Sequence, residues 1–124
     1  MADNSKGRLL VVDDEQGIVI VVSRCFAGHG YEVCGAGSAE EAIALVKERP
    51  FDLILLDSVL PGMSGMQAIE HLRRYSKAAI VMMTGHFDEQ LKSDAVLVGA
   101  ADCLSKPFDM AQLVELVDKL LKPS

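Results

Sequence analysis

Three short apolar runs recur along the chain, Leu9 to Val12, Leu53 to Leu56 and Ala78 to Met83, with shorter strand-like stretches at Tyr31 to Ala36 and Ala100 to Leu104. Each is separated from the next by a stretch with helical character. Unbroken apolar runs of this length suit strands buried on both faces, and such strands occur in parallel sheets with helices packed above and below. Strand and helix in alternation therefore predict an α/β fold, a doubly wound sheet of five parallel strands.

The helical stretches carry their own punctuation. Ser38 stands three residues before Glu41 in the pattern of a capping box, ahead of an apolar stripe of Ala39, Ala42, Ile43 and Val46 and a stop at Pro50. Ser64 and Gln67 repeat the pattern ahead of Met66, Ile69 and Leu72, and Asp109 with Gln112 resembles it ahead of Leu113, Val114, Val117 and Leu121. A weaker helix is expected from about Asp88 to Val98, stopped by Gly99. The run Ile18-Val19-Ile20-Val21-Val22 favours a strand by propensity. Connection length argues otherwise, because a strand there leaves no crossover between Val12 and Tyr31, and parallel neighbours need a dozen or more residues to connect. A helix is expected.

With 124 residues, half of them hydrophobic, the chain can enclose one sizeable core, and no apolar run approaches the ~18 residues of a membrane span. Met1 to Gly7 forms a polar N-terminal tail without the apolar segment of a secretory signal, and residues 8–124 are read as one domain of a cytoplasmic protein. The balance of 12 basic to 18 acidic residues repels nucleic acid, so no direct DNA contact is expected. Cys25, Cys34 and Cys103 form no C-x-x-C pair, and His29, His71 and His86 share no ligand spacing, which argues against a disulfide framework and against zinc.

Polar chemistry collects where the five expected strands stop. Asp13 and Asp14 follow the first, Asp57 ends the third, Thr84 the fourth and Lys106 the fifth. In open α/β sheets ligands bind outside the carboxyl ends of the strands, so these residues are expected to share a pocket. Three carboxylates crowded together repel one another unless a cation joins them, and an all-oxygen ligand set suits magnesium. A lysine and a threonine hydroxyl beside them supply partners for phosphoryl oxygens, and an aspartate nucleophile can form an aspartyl phosphate. Taken singly, each residue has an ordinary structural use: an acidic pair as helix cap, Lys106 as a solvated charge, Thr84 as a strand-end residue.

The motifs VVDDE at 11–15, LLDSVLPGMSG at 55–65, MMTGH at 82–86 and LSKPF at 104–108 together resemble the receiver domains of two-component response regulators, over nearly the whole chain. That resemblance implies a flavodoxin-like fold with strand order 2-1-3-4-5. It implies that Asp57 is the phosphoacceptor. Asp14, Asp57 and the backbone carbonyl of Val59 would hold magnesium, with Asp13 assisting through water. Lys106 would bind the phosphoryl group, Thr84 would be the switch residue, and Lys106-Pro107 would be cis, against the ~5–6% of X-Pro bonds that are. Pro61 and Gly65 would shape the loop after Asp57. The implied partners are a sensor histidine kinase or histidine phosphotransfer protein and an output domain or target. Dimerisation on phosphorylation stays open, and the only catalysis implied is of the chain's own phosphorylation and dephosphorylation.

Two positions shape expectations further. Val59 and His86 lie two residues beyond Asp57 and Thr84, where the resemblance places control of water's access. Val59 cannot orient water by hydrogen bonding, so slow self-dephosphorylation is expected. Cys103 stands where receivers usually carry the Tyr or Phe partner of the switch threonine. The output is therefore expected through displacement of the 85–98 backbone, with Phe87 or Phe108 as alternative rings. Among rival readings, a haloacid-dehalogenase-type phosphatase would carry a second Asp at the position of Val59. A flavin binder would need a Gly/Ser/Thr loop where Asp13-Asp14-Glu15 stands. A pseudo-receiver would lack charged site positions that are filled here.

Overall fold

The computed structural model describes residues 5–86 and 88–122. Met1 to Asn4, Phe87, Pro123 and Ser124 lie outside the described residues. The elements run β1 (Arg8–Val12), α1 (Gln16–Gly28), β2 (Glu32–Ala36), α2 (Ala39–Glu48), β3 (Leu53–Asp57), β4 (Val59–Leu60), β5 (Met63–Ser64), α3 (Gly65–Arg73), β6 (Ala79–Thr84), α4 (Glu89–Leu97), β7 (Asp102–Ser105) and α5 (Met110–Leu121). Five strands form one parallel sheet in the order β2-β1-β3-β6-β7. Without the small β4–β5 hairpin, which forms a separate two-stranded sheet, this is the order 2-1-3-4-5.

Alternation along each strand sorts the core into two layers. Leu9, Val11, Leu53, Leu55, Val81 and Met83 pack with Val22 and Phe26 of α1 and with Leu113, Val114 and Val117 of α5. Leu10, Val12, Ile54, Leu56, Ile80 and Met82 face the other way, against residues of α2, α3 and α4 such as Ala42, Val46, Ile69, Leu72 and Ala95. Every residue of β3 is buried, as expected of a central strand covered on both sides.

The β-branched run at 18–22 is helical, and Gly35 explains why that helix can sit so close to the sheet. A Cβ there would lie 2.5 Å from Val19 Cγ1. Of the three expected capping boxes, only that of Ser64 and Gln67 is reciprocal. Ser38 Oγ accepts from the Glu41 N–H, but the Glu41 carboxylate turns to the N–H of Gly37. Asp109 accepts from the Ala111 N–H, so Gln112 takes no part in a box. The segment 5–7 lies along the sheet, with the Lys6 N–H donating to the Gly30 carbonyl and the Gly7 carbonyl accepting from Glu32.

Candidate functional site

At the carboxyl edge of the sheet, the ladder hydrogen bonds continue past the strand ends and fix the backbone under each polar residue. The Asp13 N–H donates to the Ala36 carbonyl at 3.0 Å, Ser58 to Met83 at 2.8 Å, and Lys106 to Thr84 at 2.6 Å. Three connections from three strands are thereby brought together. Gly65 lets the loop after Asp57 close down, since a Cβ there would meet Ser58 Cα at 2.8 Å and the Asp57 carbonyl oxygen at 3.1 Å. Gly62 takes a φ of +77°, turning the chain after Pro61 between β4 and β5.

Asp13, Asp14 and Asp57 each offer a carboxylate oxygen, and these oxygens lie within 4.8 Å of one another. Asp13 is fully buried, Asp57 is 7% exposed and Asp14 is exposed. Lys106 reaches into the group, with its Nζ 2.8 Å from Asp13 Oδ2 and 3.3 Å from Asp57 Oδ1. The other oxygen of Asp13 accepts from the Glu15 N–H at 2.9 Å, which fixes the plane of its carboxylate. Burial, followed by the charge of Asp13, pushes the Asp57 carboxyl above its ordinary range, against the opposing pull of Lys106 and the Val59 N–H. Burial pulls the Lys106 ammonium down, but its hydrogen bond to Asp13 and the charge of Asp57 outweigh that and leave it raised. One half-buried cation thus faces two buried anions, with a third at the rim. Carboxylate oxygens of this number and spacing fit a hard divalent cation.

Thr84 is buried at the end of β6, and its Oγ1 accepts from the His86 N–H at 3.1 Å. Val59 is 67% exposed, its N–H 3.5 Å from Asp57 Oδ1. Lys106–Pro107 is cis. Cys103 is buried, and its thiol is pushed up first by burial and then by the charge of Asp102. Phe108 packs against the α1/α5 layer. Beside Lys106 runs an apolar groove of about 740 Å³, whose lining includes Ile18, Val21, Pro107, Phe108 and Met110. Sequence reading did not anticipate this groove, and the exposed apolar residues of α1 were its available signal.

A two-layered parallel sheet with buried carboxylates and a lysine at its carboxyl edge defines a flavodoxin-like α/β protein with an acidic, phosphoryl-compatible centre. The response regulator receiver domain model matches residues 9–118, and the chain belongs to that family, the receiver domains of two-component response regulators. It is 40% identical over 115 residues to the transcriptional regulatory protein YvrH of Bacillus subtilis, covering 92% of this chain and 48% of that protein. It is 32% identical over 116 residues to sporulation initiation phosphotransferase F of Bacillus subtilis, covering 92% of this chain and 93% of the relative. It therefore spans about half of some relatives and nearly all of another. Among solved structures it superposes with TM-score 0.88 and 26% identity on a chain of the CheX–CheY–BeF3–Mg2+ complex from Borrelia burgdorferi, covering 94% and 90% of the two chains. No helix among the described residues is long and apolar enough to cross a membrane.

Proposed function

We propose that Asp57 is the phosphoacceptor of this receiver domain, loaded in a magnesium-dependent reaction from a phosphohistidine of a sensor kinase or a histidine phosphotransfer protein. The observation that carries this is the buried Asp57 held 3.3 Å from Lys106 within reach of Asp13 and Asp14. An oxygen of the Asp57 carboxylate attacks phosphorus, the P–N bond of the donor breaks, and its electron pair returns to the imidazole. Lys106 supplies a charge for the transferred oxygens. Asp14, Asp57 and the carbonyl of Val59 would hold the magnesium ion, with Asp13 assisting through water. Bound there, the ion neutralises the crowded carboxylates and the charge on the phosphoryl oxygens.

Thr84 then turns its hydroxyl from the His86 N–H toward the phosphoryl group, and Cys103 contributes volume but no moving ring. The donor docks on the α1 face, where exposed Val21 borders the groove beside Lys106. The domain works in the cytoplasm, and its output is a partner or a linked domain rather than a reaction on a third molecule. Incubation with acetyl phosphate and magnesium tests this: mass spectrometry should find one acid-labile phosphoryl group, absent from Asp57→Asn. An unmodified wild type, or an equally modified variant, would overturn the assignment.

A further inference from the structure

We propose that α1 and α5 carry a second metal site, for a zinc-class ion, built from Cys25, His29, Glu115 and Asp118 and separate from the acidic cluster at the carboxyl edge. Between the two helices lies a cavity of about 570 Å³, and all four side chains line it, with the buried Val114 among its walls. Both helices lead back from the carboxyl edge of a parallel sheet and pack on the same face, so they run in the same direction. Cys25 and His29 stand four residues apart, His29 capping the end of α1, and Glu115 and Asp118 stand three apart on α5. Either spacing puts a pair on one side of a helix. The two pairs lie at matching depth, since the Tyr31 hydroxyl, two residues past His29, donates to Asp118.

The hydrogen bonds already made prepare these groups as ligands. His29 Nδ1 is 2.8 Å from the Cys25 carbonyl oxygen, which can only accept, so Nδ1 carries the proton and the lone pair of the neutral ring sits on Nε2. Capping the helix uses Nδ1 alone, and a backbone carbonyl on one ring nitrogen is what orients a metal-bound histidine through the other. The Tyr31 hydroxyl engages Asp118 Oδ1 in the same manner, and Oδ2 can then ligate. One thiolate, one imidazole and two carboxylates, two donors from each helix, make a four-ligand set of the kind zinc takes in structural sites. Its sulfur and nitrogen set it apart from the all-oxygen cluster that suits magnesium. Among the described residues only Asp13, Asp14 and Asp57 bring three ligand atoms within 4.8 Å of one another, so the α1–α5 set closes on an ion by rotation of side chains, with Glu115 and His29 exposed and Cys25 half-buried. Binding releases the Cys25 proton to solvent and ties α1 to α5. The Cys25–His29 pair escapes a count of cysteines or of histidines alone, because its spacing mixes the two.

Cobalt(II) in place of zinc makes the site visible, and magnesium in large excess competes for the acidic cluster. The full chain, its thiols reduced, should take up cobalt with a near-ultraviolet thiolate charge-transfer band and the strong visible absorption of a four-coordinate ion, and zinc should bleach both. Cys25→Ser should abolish the near-ultraviolet band, whereas Cys34→Ser and Asp57→Asn should keep it. His29→Gln, at an exposed position where folding is not at stake, should weaken zinc binding by roughly tenfold or more, and Glu115→Gln and Asp118→Asn should each weaken it several-fold. Zinc should raise the thermal midpoint of the wild type by a few degrees, a gain lost in His29→Gln. A wild type without the band, a band that survives Cys25→Ser, or an unchanged zinc affinity in His29→Gln would overturn the site.

Discussion

The two edges of the sheet handle charge in opposite ways. At the amino edge charged groups are paired with one another or with the backbone. The Arg8 N–H donates to Asp52 at 2.7 Å while its guanidinium pairs with Glu32 at 2.6 Å and reaches the Pro50 carbonyl. The Tyr31 hydroxyl is hydrogen-bonded to Asp118, and burial, with that bond, raises the phenol's pKa. At the carboxyl edge Asp13 and Asp57 are buried around one lysine, with Asp14 beside them. Buried charge without full compensation is costly. The fold therefore pairs its charges at one edge and accepts electrostatic repulsion at the other, where a cation and a phosphoryl group can relieve it.

The sharpest way to break this contrast is to remove Lys106. Lys106→Met leaves Asp13 buried without its cation and should cost about 3 kcal/mol in metal-free urea unfolding. Magnesium should return more stability to the variant than to the wild type, and an equal gain in both would mean that the carboxylates are not under mutual repulsion. Asp57→Asn should act in the opposite direction, stabilising the metal-free fold by about 1 kcal/mol. The sign follows from the raised carboxyl of Asp57: its penalty on the folded state is present above the folded pKa and is relieved as pH falls through it. The variant's advantage should accordingly shrink on acidification, and an advantage that grows there would refute the electrostatic cause.

At the settled edge, Tyr31→Phe should lose about 1 kcal/mol, the worth of one hydrogen bond, with no dependence on magnesium. A magnesium-dependent loss would blur the division between the edges. The smallest expected effect is kinetic. Val59→Asn places an amide able to orient water beside the proposed phosphoacceptor and should shorten the phosphate lifetime by a few-fold, as followed by loss of acid-labile phosphate.

Most of the carboxyl edge was legible because its parts are written as interruptions: the polar residues stand at or just beyond the ends of the strand-like runs. The sheet order needed the family resemblance, since apolar runs do not say which strand neighbours which. The helix at 18–22 was legible from connection length rather than from its residues, and Gly35 shows how packing overrides β-propensity there. The amino edge was illegible. Tyr31 and Asp118 are 87 positions apart, Arg8 and Asp52 are 44 apart, and no local pattern links either pair. The β4–β5 hairpin escaped notice because two-residue strands carry no periodicity, and so did the hydrogen bonds from the Arg73 guanidinium to the Ser76 and Ala78 carbonyls, because their acceptors are backbone atoms rather than side chains.

Gly35 carries a consequence for how this chain can drift over generations. Any side chain there collides with Val19, so α1 would have to lift from β2, taking with it the Glu15 backbone that fixes the Asp13 carboxylate. Replacement of Gly35 is therefore expected in descendants only alongside a smaller residue at 19. Two positions on an outlying strand and its neighbouring helix, neither of them a member of the carboxylate cluster, should be inherited as a pair.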